Sequence, residues 1–161
     1  SAQFVARKKV DGIAVGGVSV GETKKEMREQ VQWVSPYLPE DLPKHLLGIG
    51  RVEDILDLVK EGMDTFDCVE PTRIARNGLV YVRKGKKAER VDVTKTTHKR
   101  SKLPIEKDCP CYACQNFTRS FLHHLFKEKE LLGYYLASVH NTAFFTRLFQ
   151  QIREDIQQGR I

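Results

Sequence analysis

Short apolar runs alternate with helical stripes through the first half of the chain, and that alternation admits few folds. Gly12-Ile13-Ala14-Val15-Gly16-Gly17 reads as a buried strand ending in glycines. Glu22 to Val34 follows a helical pattern closed by Ser35-Pro36, and His45-Leu46-Leu47-Gly48-Ile49-Gly50 is a second strand-like run. Val52, Ile55, Leu56 and Val59 form a helical stripe stopped by Gly62, and Thr65-Phe66-Asp67-Cys68-Val69 is a third short strand before Pro71. Strand, helix, strand, helix, strand at this spacing predicts parallel strands joined by crossover helices. Both glycine-rich runs and Asp67 then open at the C-terminal edge of the sheet, where α/β folds bind ligands.

The chain of 161 residues suits one ordinary domain, and 40% hydrophobic with 30% charged residues is a globular balance. No run approaches the roughly 18 apolar residues of a spanning helix. Ser1 to Val10 is mixed and basic, without the apolar core of a secretory signal. These features predict a cytoplasmic protein without membrane association and exclude a secreted disulfide scaffold.

After Gly78, Leu79-Val80-Tyr81-Val82 and Arg90-Val91-Asp92-Val93 flank Gly85 as a predicted β-hairpin. Helical patterns follow over about Gln115 to Lys127, Lys129 to Ser138 and Thr142 to Gln158. The net charge of +6 is concentrated here: Arg83 to Lys102 holds nine Lys/Arg against Glu89 and Asp92, leaving 18 basic and 19 acidic groups elsewhere. Such a segment is either a solvated hairpin or a phosphate-contacting arm.

Cys109-Pro-Cys111-Tyr-Ala-Cys114 places three thiols within one loop. Three cysteines this close cannot all pair with one another, and the pattern suits tetrahedral zinc with four N or S ligands. Cys68, His98, His123, His124 and His140 are the available fourth ligands. His140 is preferred, because Asn141-Thr142 resembles a helix cap and a junction histidine can lock two helices onto the loop. Four protein ligands leave no open position, so the metal is expected to be structural.

Asp67 at its strand end can cap a turn, hold a metal or serve as nucleophile or base. Glycine-ended strands favour a larger role, since they let a flat ligand approach the backbone. Gly16-Gly17-Val18-Ser19-Val20-Gly21-Glu22 fits neither a P-loop nor the dinucleotide fingerprint.

Taken in order, the Gly16–Glu22 motif, His45–Gly50, Phe66-Asp67-Cys68-Val69-Glu70-Pro71-Thr72-Arg73 and the cysteine cluster with His140-Asn141 resemble the C-terminal part of a bacterial tRNA-guanine transglycosylase, or queuine tRNA-ribosyltransferase. The similarity runs from about Val10 to Gln158. The resemblance implies the C-terminal part of a (β/α)8 barrel with an inserted zinc-binding subdomain of β-hairpin plus helices. Residues 1–78 would be barrel units, and 79–161 the basic hairpin, zinc subdomain and terminal helices. It implies exchange of the wobble guanine of tRNA for a 7-deazaguanine through a covalent ribosyl ester on Asp67.

By the same resemblance, Gly17, Val18 and Val20 line the base pocket, and Val20 favours 7-aminomethyl-7-deazaguanine over queuine. Gly48, Ile49, Gly50, Arg51, Val52, Glu53 and Asp54 follow the RNA, as do Thr72, Arg73, Ile74, Ala75 and Arg76. Cys109, Cys111, Cys114 and His140 hold one structural zinc ion, and a homodimer forms through the zinc subdomain. Phe117, Phe121 and His124 share one helix face, either as core or as dimer surface. Glu70 departs from the usually apolar residue of the family. Family members are much longer, so this chain is expected to be inactive without the remainder of the barrel. A noncatalytic, zinc-stabilised tRNA-binding subunit is the alternative, and retention of Asp67 weighs against it.

Overall fold

The computed structural model describes residues 1–18, 21–85 and 87–161, which form two compact units, Ser1–Val69 and Glu70–Ile161. Among the described residues, no helix is long and apolar enough to cross a membrane.

The first unit runs α1 (Ala2–Ala6), β1 (Ile13–Val15), α2 (Lys24–Val34), a 3-10 turn (Ser35–Tyr37), β2 (Lys44–Leu46), α3 (Val52–Lys60) and β3 (Thr65–Phe66). The strands form one sheet in the order β1-β2-β3, and both pairings are parallel, as the alternation predicted. Ile13 pairs with Lys44, Val15 with Leu46, and Leu46 with Phe66. β1 and β2 are shorter than their apolar runs, because Gly17 and Gly48, both at positive φ, turn the backbone out of the ladder.

Helix α2 starts where Thr23 and Glu26 form a reciprocal capping box. Its Met27 and Val31 pack with Ile13, Val15, Val18, Leu38, Leu46, Ile49, Leu58 and Met63 into one core. Lys24 and Arg28 of α2 meet the buried Asp54 of α3 at 3.1 and 2.9 Å. That pair of cations supplies the compensation a buried carboxylate needs.

The second unit contains α4 (Glu70–Ala75), β4 (Leu79–Lys84), β5 (Lys87–Asp92), a 3-10 turn (Thr96–His98), α5 (Tyr112–Asn116), α6 (Arg119–Lys127) and α7 (Leu131–Gln157). The predicted hairpin is present, pairing Leu79 with Asp92 through to Lys84 with Lys87. Helix α4 was not expected; Pro71 lies in its first turn, where a missing N–H costs nothing, and starts the helix rather than merely ending a strand. It is counted with the second unit, whereas the sequence division fell after Gly78.

Two further helix boundaries differ from expectation. Phe117 is extended and Thr118 accepts a hydrogen bond from the Phe121 N–H, so the expected helix from Gln115 is split into α5 and α6. Conversely, the two expected terminal helices are one, and Asn141 is not a cap. Its buried amide accepts from the Tyr81 N–H at 2.9 Å and donates to the carbonyls of Pro71 and Leu79 at 2.9 and 3.1 Å. With that side chain spent on β4, and no glycine or proline between Tyr134 and Gln158, α7 continues through.

The core joins Val80, Val82, Val93 and Ile105 to Leu122, Leu125, Leu136 and Ala137, with the three clustered cysteines included. Tyr81 stacks on Phe144 and meets the edge of Phe145, at 5.3 Å in each case. On α6, Leu122, His123 and Leu125 are buried while Phe121 and His124 are exposed, so the Phe121/His124 face is surface.

The buried Asn141 amide satisfies three backbone groups, of which the Tyr81 N–H is buried and the Pro71 and Leu79 carbonyls are part-buried. Asn141→Leu is therefore expected to lower the unfolding free energy of the chain by about 2–4 kcal/mol. Chemical denaturation checks this; a loss below about 0.5 kcal/mol would contradict the assigned role.

Candidate metal centre and catalytic edge

Cys109 and Cys111 lie on the loop ahead of α5, Cys114 lies within α5, and His140 lies at mid-length in α7. Their ligand atoms all fall within 4.8 Å of one another, and all four residues are buried. His140 Nδ1 stands 3.7, 3.6 and 3.3 Å from the sulfurs of Cys109, Cys111 and Cys114. Tetrahedral zinc, with Zn–S near 2.3 Å and Zn–N near 2.1 Å, sets sulfur and nitrogen about 3.6 Å apart. The donor set and its spacing therefore fit a four-coordinate ion.

The far ring nitrogen fixes the orientation: His140 Nε2 donates to the Tyr81 carbonyl at 2.6 Å, which turns the Nδ1 lone pair towards the thiols. Burial works against charge on His140, but hydrogen bonds with Cys109, Cys111 and Tyr81 outweigh it and raise the pKa to about 9. The Cys114 thiol is the main cause holding Cys111 below the ordinary thiol range. Of the alternative ligands, His123 instead bonds the Val93 carbonyl at 3.1 Å, and His124 is exposed.

In the first unit, parallel pairing brings the ends of β1, β2 and β3 to one edge. Asp67 stands there as an exposed carboxylate, its side chain 59% accessible. Its Oδ1 accepts from the Gly48 N–H at 2.9 Å and from His45 Nε2 at 3.2 Å. The Gly48 amide is the main cause of a pKa below the usual carboxylate value, with His45 adding to it. Gly48 delivers that amide from a left-handed conformation, φ +74°, which a side chain would strain. Gly50 is required sterically, since a Cβ there would lie 2.4 Å from the Cβ of Cys68.

The other expected residues separate by exposure. Gly17 is exposed, Val18 is buried in the core, and Val20 lies outside the described residues. Along Gly48–Asp54, Arg51 and Glu53 are exposed, Val52 is half-buried, and Ile49, Gly50 and Asp54 are buried. Along Thr72–Arg76, Arg73 and Arg76 are exposed, Thr72 and Ile74 half-buried, and Ala75 buried. These two stretches fall in different units.

Glu70, the unexplained departure, has partners within the second unit. Its Oε1 accepts from the Tyr81 hydroxyl at 2.7 Å and from Arg90 at 2.8 Å. In the basic segment, Lys84 pairs with Glu89 at 3.1 Å. His45 is the site residue that sequence reasoning passed over. A polar side chain at the head of an apolar strand run was its only signal.

The family model for queuine tRNA-ribosyltransferase matches residues 1–161. The chain belongs to the queuine tRNA-ribosyltransferase family. A queuine tRNA-ribosyltransferase from Roseiflexus sp. (strain RS-1) is 42% identical over 160 residues, covering 99% of this chain and 40% of the relative. One from Herpetosiphon aurantiacus is 43% identical over 160 residues, with the same coverages. One from Neisseria meningitidis serogroup B is 46% identical over 149 residues, covering 92% of this chain and 39% of the relative. The chain thus spans about two fifths of the length of the curated relatives it matches. The ordered motifs had pointed to this family.

The metal group predicts a measurable titration. Cobalt(II) added to the full chain is expected to bind once per chain, with thiolate-to-metal absorption that His140→Ala abolishes or strongly weakens. Thiols bind a metal ion only as thiolates, so binding releases protons from the cysteine group. Apparent affinity should therefore rise as pH is raised through the neutral range and fall as it is lowered. A pH-independent affinity would contradict the assignment.

Proposed function

We propose that this chain supplies the nucleophile edge and metal-bound subdomain of a tRNA-guanine transglycosylase of queuosine biosynthesis. The observation that carries this reading is an exposed carboxylate at a parallel sheet edge, with one oxygen held by a backbone amide and its pKa lowered. An ionised carboxylate so placed can stabilise an oxocarbenium-like transition state and then form a bond to it.

In the first displacement, a bond forms between the Asp67 carboxylate and the anomeric carbon of the wobble nucleotide. The glycosidic bond breaks, its electron pair leaves with guanine, and guanine gains a proton. In the second, the incoming 7-deazaguanine loses a proton as its ring nitrogen takes the anomeric carbon, and the ester electron pair returns to Asp67. Two inversions restore the sugar configuration, and the protons balance.

The three parallel strands are read as the C-terminal part of a (β/α)8 barrel, whose remainder completes the pocket; the chain alone is expected to be inactive. Gly17 and the Val18 backbone would face the base, with Val20 favouring 7-aminomethyl-7-deazaguanine. Gly48–Asp54 and Thr72–Arg76 would follow the RNA through Arg51, Arg73 and Arg76, while Asp54 supports that path from behind by bracing α3 on α2. A wobble base must leave its stack to reach such an edge, so anchoring through phosphates suits the task.

Cys109, Cys111, Cys114 and His140 would hold one structural zinc ion, which fastens the loop to α7 and takes no part in the exchange. The exposed Phe121 and His124 are read as homodimer surface. A tRNA substrate and reduced thiols suit a cytoplasmic protein.

Labelled-guanine exchange into tRNA with guanine at the wobble position tests the reading, using the complete reading frame that contains this chain. Incorporation is expected, and Asp67→Asn should lower it by at least about a thousandfold. No incorporation by a folded, metal-loaded protein would favour the noncatalytic tRNA-binding subunit.

A further inference from the structure

We propose that His45 and Thr65 are positioning residues for Asp67 and give its two oxygens different tasks: Oδ1 is anchored, and Oδ2 attacks. The proposal rests on the reading of Asp67 as the ribose nucleophile.

The register of β2 and β3 creates the arrangement. His45 pairs with Thr65 and Leu46 with Phe66. Leu46 is fully buried, so alternation directs His45 to the opposite face, and Asp67, two residues after Thr65, shares that face. The imidazole bridges the strands: Nε2 lies 3.2 Å from Asp67 Oδ1, and Nδ1 lies 2.8 Å from Thr65 Oγ1. An ionised carboxylate can only accept, so Nε2 carries the hydrogen. With its hydrogen on Nε2, the ring presents the Nδ1 lone pair to the Thr65 hydroxyl, which can donate to it. Thr65 thereby selects the tautomer that can hold Asp67.

The Gly48 N–H also donates to Oδ1, at 2.9 Å, so two donors converge on one oxygen of an exposed group. The oxygen without these two donors, Oδ2, forms the bond to the anomeric carbon. In the resulting ester Oδ1 is the carbonyl oxygen and keeps both donors. When the incoming base displaces Oδ2, negative charge returns to the carboxylate, and His45 and Gly48 stabilise it as it departs. Attack gains no such help, because the same donors already stabilise the free carboxylate. Loss of His45 should therefore slow the second displacement more than the first, whereas a merely structural role would slow both.

The test uses the complete protein and tRNA in single-turnover reactions quenched in denaturant. Formation of the covalent protein–RNA species and its decay on adding guanine are timed separately. In His45→Ala, decay is expected to slow by about tenfold, with formation changed less than about threefold, so the adduct accumulates. His45→Gln places an amide N–H near the Nε2 position and should bring decay back within about threefold of the unaltered protein. Thr65→Val should slow decay partly, with a mixture of tautomers for His45 in nitrogen-15 spectra.

Equal slowing of both steps in His45→Ala, unchanged decay, or decay in His45→Gln as slow as in His45→Ala would overturn the proposal while leaving Asp67 as nucleophile. Undiminished exchange by Asp67→Asn would overturn the nucleophile reading and this proposal with it.

Discussion

Parallel pairing of β1 with β2 and β2 with β3 forces the three strand ends of the first unit to one edge, because each crossover returns the chain to the same starting side. Everything at that edge follows from this constraint. The turn after β2 points the Gly48 amide at the end of β3, and Asp67 Oδ1 receives it at 2.9 Å. The same register sets His45 across from Thr65 and within reach of Asp67. Beneath the edge, Leu46 and Ile49 sit in a core closed by α2 and α3, and the Lys24–Asp54–Arg28 cluster fixes those helices to each other.

The second unit turns on the backbone of one residue. Tyr81 gives its N–H to Asn141 and takes a hydrogen bond from His140 on its carbonyl, so adjacent residues of α7 hold one residue of β4 from both polar sides. The bond to the carbonyl also orients His140 for the metal group, linking strand order to ligand geometry. The Tyr81 hydroxyl then reaches Glu70 at the start of α4. Glu70 is thereby a partner of Tyr81 and Arg90, which accounts for a carboxylate at this position.

Much of this was legible in the sequence, where residue type and spacing carry the physics directly. Glycine-ended apolar runs with helical stripes between them gave the parallel strands. A Cys-x-Cys-x2-Cys loop with a distant histidine gave the metal group. Long-range partners were less visible. Asn141-Thr142 has the composition of a cap, and only the position of β4 shows that the amide is spent on Tyr81, Pro71 and Leu79. Asp54 reads as one more acid in the first turn of a helix until Lys24 and Arg28 of α2 are seen to bury it. His45 was hidden for a related reason, since its role depends on the β2–β3 register.

A covalent bond between Asp67 and the ribose is the step on which the proposed exchange depends. With the complete protein, tRNA bearing a wobble guanine, and no incoming deazaguanine, the denatured and nuclease-trimmed product would be mapped by mass spectrometry. A ribosyl-nucleotide ester on the peptide containing Asp67, absent from Asp67→Asn, is the expected result. An adduct on another residue, or exchange proceeding without any adduct in single-turnover samples, would contradict it.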